Sequence, residues 1–124
     1  MLPDAAAVGF VPSTDLARSR AFYAGTLGLP VIGADSFAVV VRLSNLAVRI
    51  TAVGDAFHVP PFTVLGWAVT DIRAEIRDLT ARGVEFLDVD GIEQDDDRVW
   101  TAPGGSQVAW FKDPDGNTLS LEQS

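Results

Sequence analysis

A chain of 124 residues is long enough to bury one core but not two independent ones. Hydrophobic residues at 48% and charged residues at 21% exclude a disordered chain, and no apolar run approaches membrane-spanning length. The net charge of -8, with scattered Lys and Arg, argues against a nucleic-acid partner, and the absence of cysteine excludes disulfides, thiolate zinc sites and a Cys nucleophile.

The N-terminus "MLPDAAAVGF" lacks the basic flank and apolar core of a signal peptide, so a cytoplasmic protein is expected. The acidic field keeps such a protein soluble and also favours cationic small molecules. The first element is a strand in "AAAVGFVPS". The segment "TDLARSRAFYAGTLG" follows, with Leu16, Phe22, Tyr23 and Leu27 at near-helical spacing and Gly28 before Leu29-Pro30 as a stop. Strand-like pieces then come in "PVIG", "SFAVVVRL" and "LAVRITAV".

A second apolar run, "FTVLGWAV", leads into "TDIRAEIRDLTARG", where Ile72, Ile76 and Leu79 share one helical face and Gly83 terminates. Strands are expected in "VEFLDV", "RVWTAP" and "SQVAWFKD", and in "NTLSLEQ" after the turn at Asp113-Pro114-Asp115-Gly116-Asn117. The order of strand, helix and several strands therefore occurs twice, with the Thr-Asp pairs ending at Asp15 and Asp71 set 56 residues apart. The expected organisation is one domain of two repeats: module 1 at about 5–53, a connector at 54–62 stiffened by Pro60-Pro61, and module 2 at about 63–124.

The stretches "TDLARSRAFYAGTLGLPV", "WAVTDIRAEIRDLTARGVEF" and "WFKDPDGNTLSLEQ", in this order, resemble the vicinal oxygen chelate superfamily, the group of glyoxalase I, bleomycin-resistance proteins and extradiol dioxygenases. The resemblance implies an α+β fold in which two βαβββ modules form a cup-shaped mixed sheet with helices outside. It also implies a homodimer with pockets at a module or subunit interface.

Enzymes of this superfamily usually hold a divalent metal with His, Glu or Gln side chains in the cup. Carried over by offset from Asp15, Asp71 and Gly116, the ligand positions fall on Val8, on Val64 (or Leu65) and on Ser120, with Val48 or Arg49 as the counterpart in module 1. None supplies a usual ligand. His58 stands alone in the connector, and the run "EQDDD" at Glu93–Asp97 lacks the glycine and alternation of a calcium loop. The expectation is no metal and no cofactor.

What remains is aromatic. Phe10, Phe37, Trp100 and Trp110 lie on expected strands, and strand parity puts Phe10 on the face of Val8 while Trp67 packs under the helix. Each of these aromatics has core packing as its plainer role. Arg49 sits mid-strand among apolar neighbours, so it must reach solvent, cross toward Glu122, or bind an anionic group. Glu122 shares the parity of Ser120. The candidate ligand-binding set is Phe10, Phe37, Arg49, Trp100, Trp110 and Glu122, with no catalytic residue named. The expected function is metal-independent sequestration of an aromatic or cationic small molecule, an antibiotic being one such ligand. The alternatives are a metal-dependent lyase, isomerase or dioxygenase with a rearranged site, and a non-catalytic accessory domain.

Overall fold

The computed structural model describes all residues from Met1 to Ser124. They form two units, Met1–His58 and Val59–Ser124, which meet inside the proline-containing connector.

In the first unit, β1 (Val8–Ser13) leads to α1 (Leu16–Arg20), and β2 (Val31–Ala34), β3 (Ala38–Arg42) and β4 (Ala47–Ala52) follow. Asp15 starts the helix because its carboxylate accepts from the Arg18 N–H at 3.1 Å, satisfying one of the donors that a helix N-terminus leaves over. After Arg20 the backbone winds into a π-helical segment, Ala21–Thr26, before Gly28 turns the chain at a φ of 75°. The sheet order is β1-β4-β3-β2, with β1 parallel to β4 and the remaining pairs antiparallel. Alternate residues build the core: Val11, Val39, Val41, Val48 and Ile50 are buried on the face that receives the helix, together with Tyr23. Two hydroxyls join that face, because Ser13 and Ser19 are fully buried and hydrogen-bond to each other at 2.6 Å.

The second unit repeats the plan with β5 (Thr63–Ala68), α2 (Ile72–Ala81), β6 (Trp100–Thr101), β7 (Gln107–Lys112) and β8 (Thr118–Gln123). Its order is β5-β8-β7-β6, again with the first and last strands parallel. Asp71 caps α2 through the Ala74 N–H at 3.1 Å, and the Gln123 side chain accepts from the Ile72 N–H at 2.8 Å, tying the helix start to the last strand. Ile72, Ile76 and Leu79 are buried, as their spacing predicts. They face Leu119, Leu121, Ala109 and Phe111, and Trp67 stacks on Phe111 with ring centroids 6.2 Å apart.

The Asp113–Asn117 turn is held by one buried side chain. Asp113 accepts from the N–H groups of Asp115 and Asn117, each at 2.9 Å, and from the Asn117 amide at 2.8 Å, while Gly116 takes a φ of 87°. Both halves are thus βαβββ modules of an α+β fold, each with a four-stranded mixed sheet.

Two elements differ from the sequence expectation. The strand expected over "VEFLDV" is reduced to a single bridge between Phe86 and Phe111. Asp88, Asp90 and Gly91 draw the chain away from the β7 edge, and it returns only at Trp100. The first helix is regular for only five residues before its π-helical continuation, a change in winding for which residue spacing gives no signal.

Candidate functional site on the sheet faces away from the helices

Each sheet spends one face on its helix and core, so its chemistry can differ only on the other, far face. In the second unit, cross-strand register assigns Gly66, Ala68, Val108, Trp110, Ser120, Glu122 and Trp100 to the far face. Trp110 lies opposite Ser120, and Ser120 opposite Gly66. The Ser120 hydroxyl rests over Gly66, in the space a side chain there would take. Trp100 and Trp110 stack at a centroid distance of 6.1 Å with 30° between their planes. Glu122 lies on the next row, between Ala68 and Val108, and is exposed. Trp100, Trp110 and Glu122 are therefore brought to one face, whereas Trp67 is on the helix side.

In the first unit, the row Phe10, Arg49 and Val40 crosses three strands. Phe10 is 65% exposed and Val8, on the same face, 51%. Arg49 is half-buried, and its positive charge reaches Asp35. The Asp35 carboxyl titrates below its ordinary value chiefly because it accepts from the N–H groups of Phe37 and Ala38, with a smaller contribution from Arg49. Phe37 departs from the expected strand position. It precedes β3, its carbonyl accepts from Ala52, and its parity is that of Val39 and Val41 rather than of Phe10. The structure does not bring Phe37 to the Phe10–Arg49 row.

The positions where the superfamily places metal ligands do not fit a divalent ion. Val8 offers no donor, Val64 sits at the register irregularity between Thr63 and Leu65, and Ser120 supplies one neutral hydroxyl. In module 1 the far-face counterpart of Ser120 is the cation Arg49, while Val48 is fully buried on the helix side. No three His, Cys, Asp or Glu side chains gather closely enough to share a metal ion, and His58 is exposed in the connector.

The acidic run has a structural role that the sequence reading missed. Arg73 on α2 reaches Asp97 at 2.6 Å and Asp95 at 2.8 Å, and this guanidinium holds the Asp95 carboxyl below its ordinary value. The other Asp95 oxygen accepts from the N–H groups of Asp97 and Val99, each at 3.0 Å, shaping a turn in which Arg98 takes a φ of 67°. Gln94 staples the segment, accepting from Val89 N–H at 2.7 Å and donating to the carbonyls of Leu87 and Arg98 at 3.0 and 2.8 Å. The resulting loop frames a hollow of about 310 Å³ against Trp100. The sequence signal for it was weak: an Arg on the polar side of α2 and a Gln inside a run of carboxylates.

No helix is long and apolar enough to cross a membrane. No protein of curated function matches the chain. Among solved structures, a superfamily member from Sphaerobacter thermophilus matches with a TM-score of 0.75 at 21% identity, covering 100% of both chains. UcmS2 matches at 0.76 and 21%, covering 97% of this chain and 98% of its own. A protein described as lactoylglutathione lyase from Agrobacterium tumefaciens matches at 0.71 and 18%, covering 98% and 95%. At such identities the likeness is one of fold. The family model of the Glyoxalase/Bleomycin resistance protein/Dioxygenase superfamily matches residues 6–121, and the chain belongs to that superfamily.

Proposed function

We propose that the protein binds a planar aromatic or cationic small molecule, an antibiotic being one such compound, and sequesters it without a metal ion and without chemical change. The stacked Trp100–Trp110 pair on the far face of the second sheet carries this reading. Indole faces bind flat rings by dispersion and cations through their quadrupole. Exposed Glu122 on the same face and the net charge of -8 favour a positively charged guest. The donor-poor residues at the superfamily's ligand positions, Val8, Val64, Ser120 and Arg49, support metal independence. The working form in this reading is a cytoplasmic homodimer, which sedimentation analysis tests directly.

A thermal-shift screen of planar cations, neutral aromatics and divalent metals tests the binding reading. A guest that binds only the folded state raises Tm. Stabilisation by planar compounds, lost in Trp110→Ala, is the expected result. Near-stoichiometric Fe, Mn, Ni or Zn in protein purified without chelator, with turnover that depends on it, would overturn it in favour of a metal-dependent lyase, isomerase or dioxygenase.

A further inference from the structure

The hollow framed by the acidic loop has a direct bearing on charge selectivity. It is lined by Glu93, Gln94, Asp95, Val99, Trp100 and Thr101, and its volume of about 310 Å³ suits a small organic group. Its aromatic wall is the same Trp100 that stacks on Trp110, so the hollow adjoins the indole pair.

The polar side chains around it are not equally available. Gln94 has its oxygen and its amide nitrogen engaged by Val89, Leu87 and Arg98. Asp95 is shared between Arg73 and the N–H groups of Asp97 and Val99. Glu93 is exposed and forms no hydrogen bond or ion pair, and the Thr101 hydroxyl is likewise uncommitted. Val99, only 2% exposed, closes the floor. The hollow therefore combines one indole, one aliphatic contact, one free hydroxyl and one free carboxylate. An incoming anion would meet Glu93 and Asp95 with no cation free to answer them, because Arg73 is already shared by two carboxylates.

We propose that this hollow is a subsite for the cationic group of the planar ligand, with Glu93 as the residue that reads its charge. The inference rests on the Trp100–Trp110 reading above and assigns charge selectivity to a residue outside the strand faces. A ring stacked on the indole pair would direct a methylated nitrogen, amine or guanidinium substituent past the Trp100 edge toward the Glu93 carboxylate. The attraction is that of a solvent-exposed pair reinforced by an aromatic wall, so it sets preference more than affinity.

The test is isothermal titration calorimetry at low salt with N-methylquinolinium and with quinoline, at a pH where quinoline is neutral. The full chain is compared with its Glu93→Gln, Trp110→Ala and Glu75→Gln variants. Glu75 is an exposed residue of α2 outside the hollow, and its substitution makes the same change in net charge. The wild type is expected to prefer the cation about three- to fivefold. Glu93→Gln should remove most of that preference while leaving quinoline affinity unchanged, Glu75→Gln should retain it, and Trp110→Ala should weaken both probes. A preference that survives Glu93→Gln, or falls equally in Glu75→Gln, overturns the subsite. Quinoline binding that depends on Trp110 with no cation preference overturns the subsite alone. Failure of both probes to bind the wild type overturns the stacking reading and the subsite together.

Discussion

The two modules share a plan down to offsets. In each, the far-face residue five positions before the helix-capping Asp lies beside the matching residue of the last strand: Phe10 by Arg49, Gly66 by Ser120. Yet the first pair is an aromatic ring and a guanidinium, the second a bare Cα and a hydroxyl. The helix faces of both sheets remain mainly aliphatic and aromatic, the buried Ser13–Ser19 pair in the first being the exception. One face of each sheet is committed to holding the module together, which leaves the other free to acquire distinct chemistry.

The sharpest way to break that division is to strike the two faces in turn. Phe111→Ala, which empties a fully buried site between Trp67 and Phe86, should cost about 3–5 kcal/mol by chemical denaturation. Phe10→Ala on a far face should change stability by less than about 0.5 kcal/mol. Equal losses would mean that Phe10 is covered by something the fold depends on. Trp110→Ala should then separate the modules by function. It should weaken a planar guest by about tenfold, or 1.4 kcal/mol, in calorimetric titration, and a smaller loss in Phe10→Ala would place the guest on the second sheet's face.

The caps test whether the modules' helices depend on them equally. Asp15→Ala and Asp71→Ala should each cost about 1 kcal/mol, read as paired shifts in denaturation midpoint. A larger loss at Asp15 would show that the π-helical continuation leans on the cap. Gly66→Ala should destabilise by about 1 kcal/mol or more, because the new methyl displaces the Ser120 hydroxyl and crowds the Ser120 backbone carbonyl, 3.3 Å away. Adding Ser120→Ala should recover part of the loss, and strict additivity would break the proposed contact.

The smallest expected effect lies in the loop clamp. Asp95 titrates below its ordinary 3.8 because Arg73 donates to it, so its contribution is fully present above that pH. It is lost only as pH falls through the lowered value. Amide exchange at Asp97 and Val99 should accelerate in that acidic window, and Arg73→Met should remove most of the pH dependence.

Much of this was legible in the sequence because the relevant signals are local. Thr-Asp before an apolar stripe marks both helix starts, and period-two alternation separates Trp67 from Trp100 and Trp110 without reference to distant contacts. The rest depends on partners far along the chain. The carboxylates of "EQDDD" read as solvated until Arg73, more than twenty residues earlier, reaches two of them. Phe37 reads as a strand residue, but β3 begins one position later and gives it the parity of the helix side. "VEFLDV" has the alternation of a strand, yet only Phe86 bridges to β7 before the chain departs around Asp88.

Parallel pairing of first and last strands has a consequence for biosynthesis. β1 finds its neighbour only when Ala47–Ala52 has left the ribosome, and β5 waits for Thr118–Gln123, some fifty residues further on. The first module can close its sheet while the second is still being translated, whereas the second closes only once β8 has been made. The tryptophan face is therefore assembled after the face that carries Phe10 and Arg49, and loss of β8 would leave β5 without its parallel neighbour.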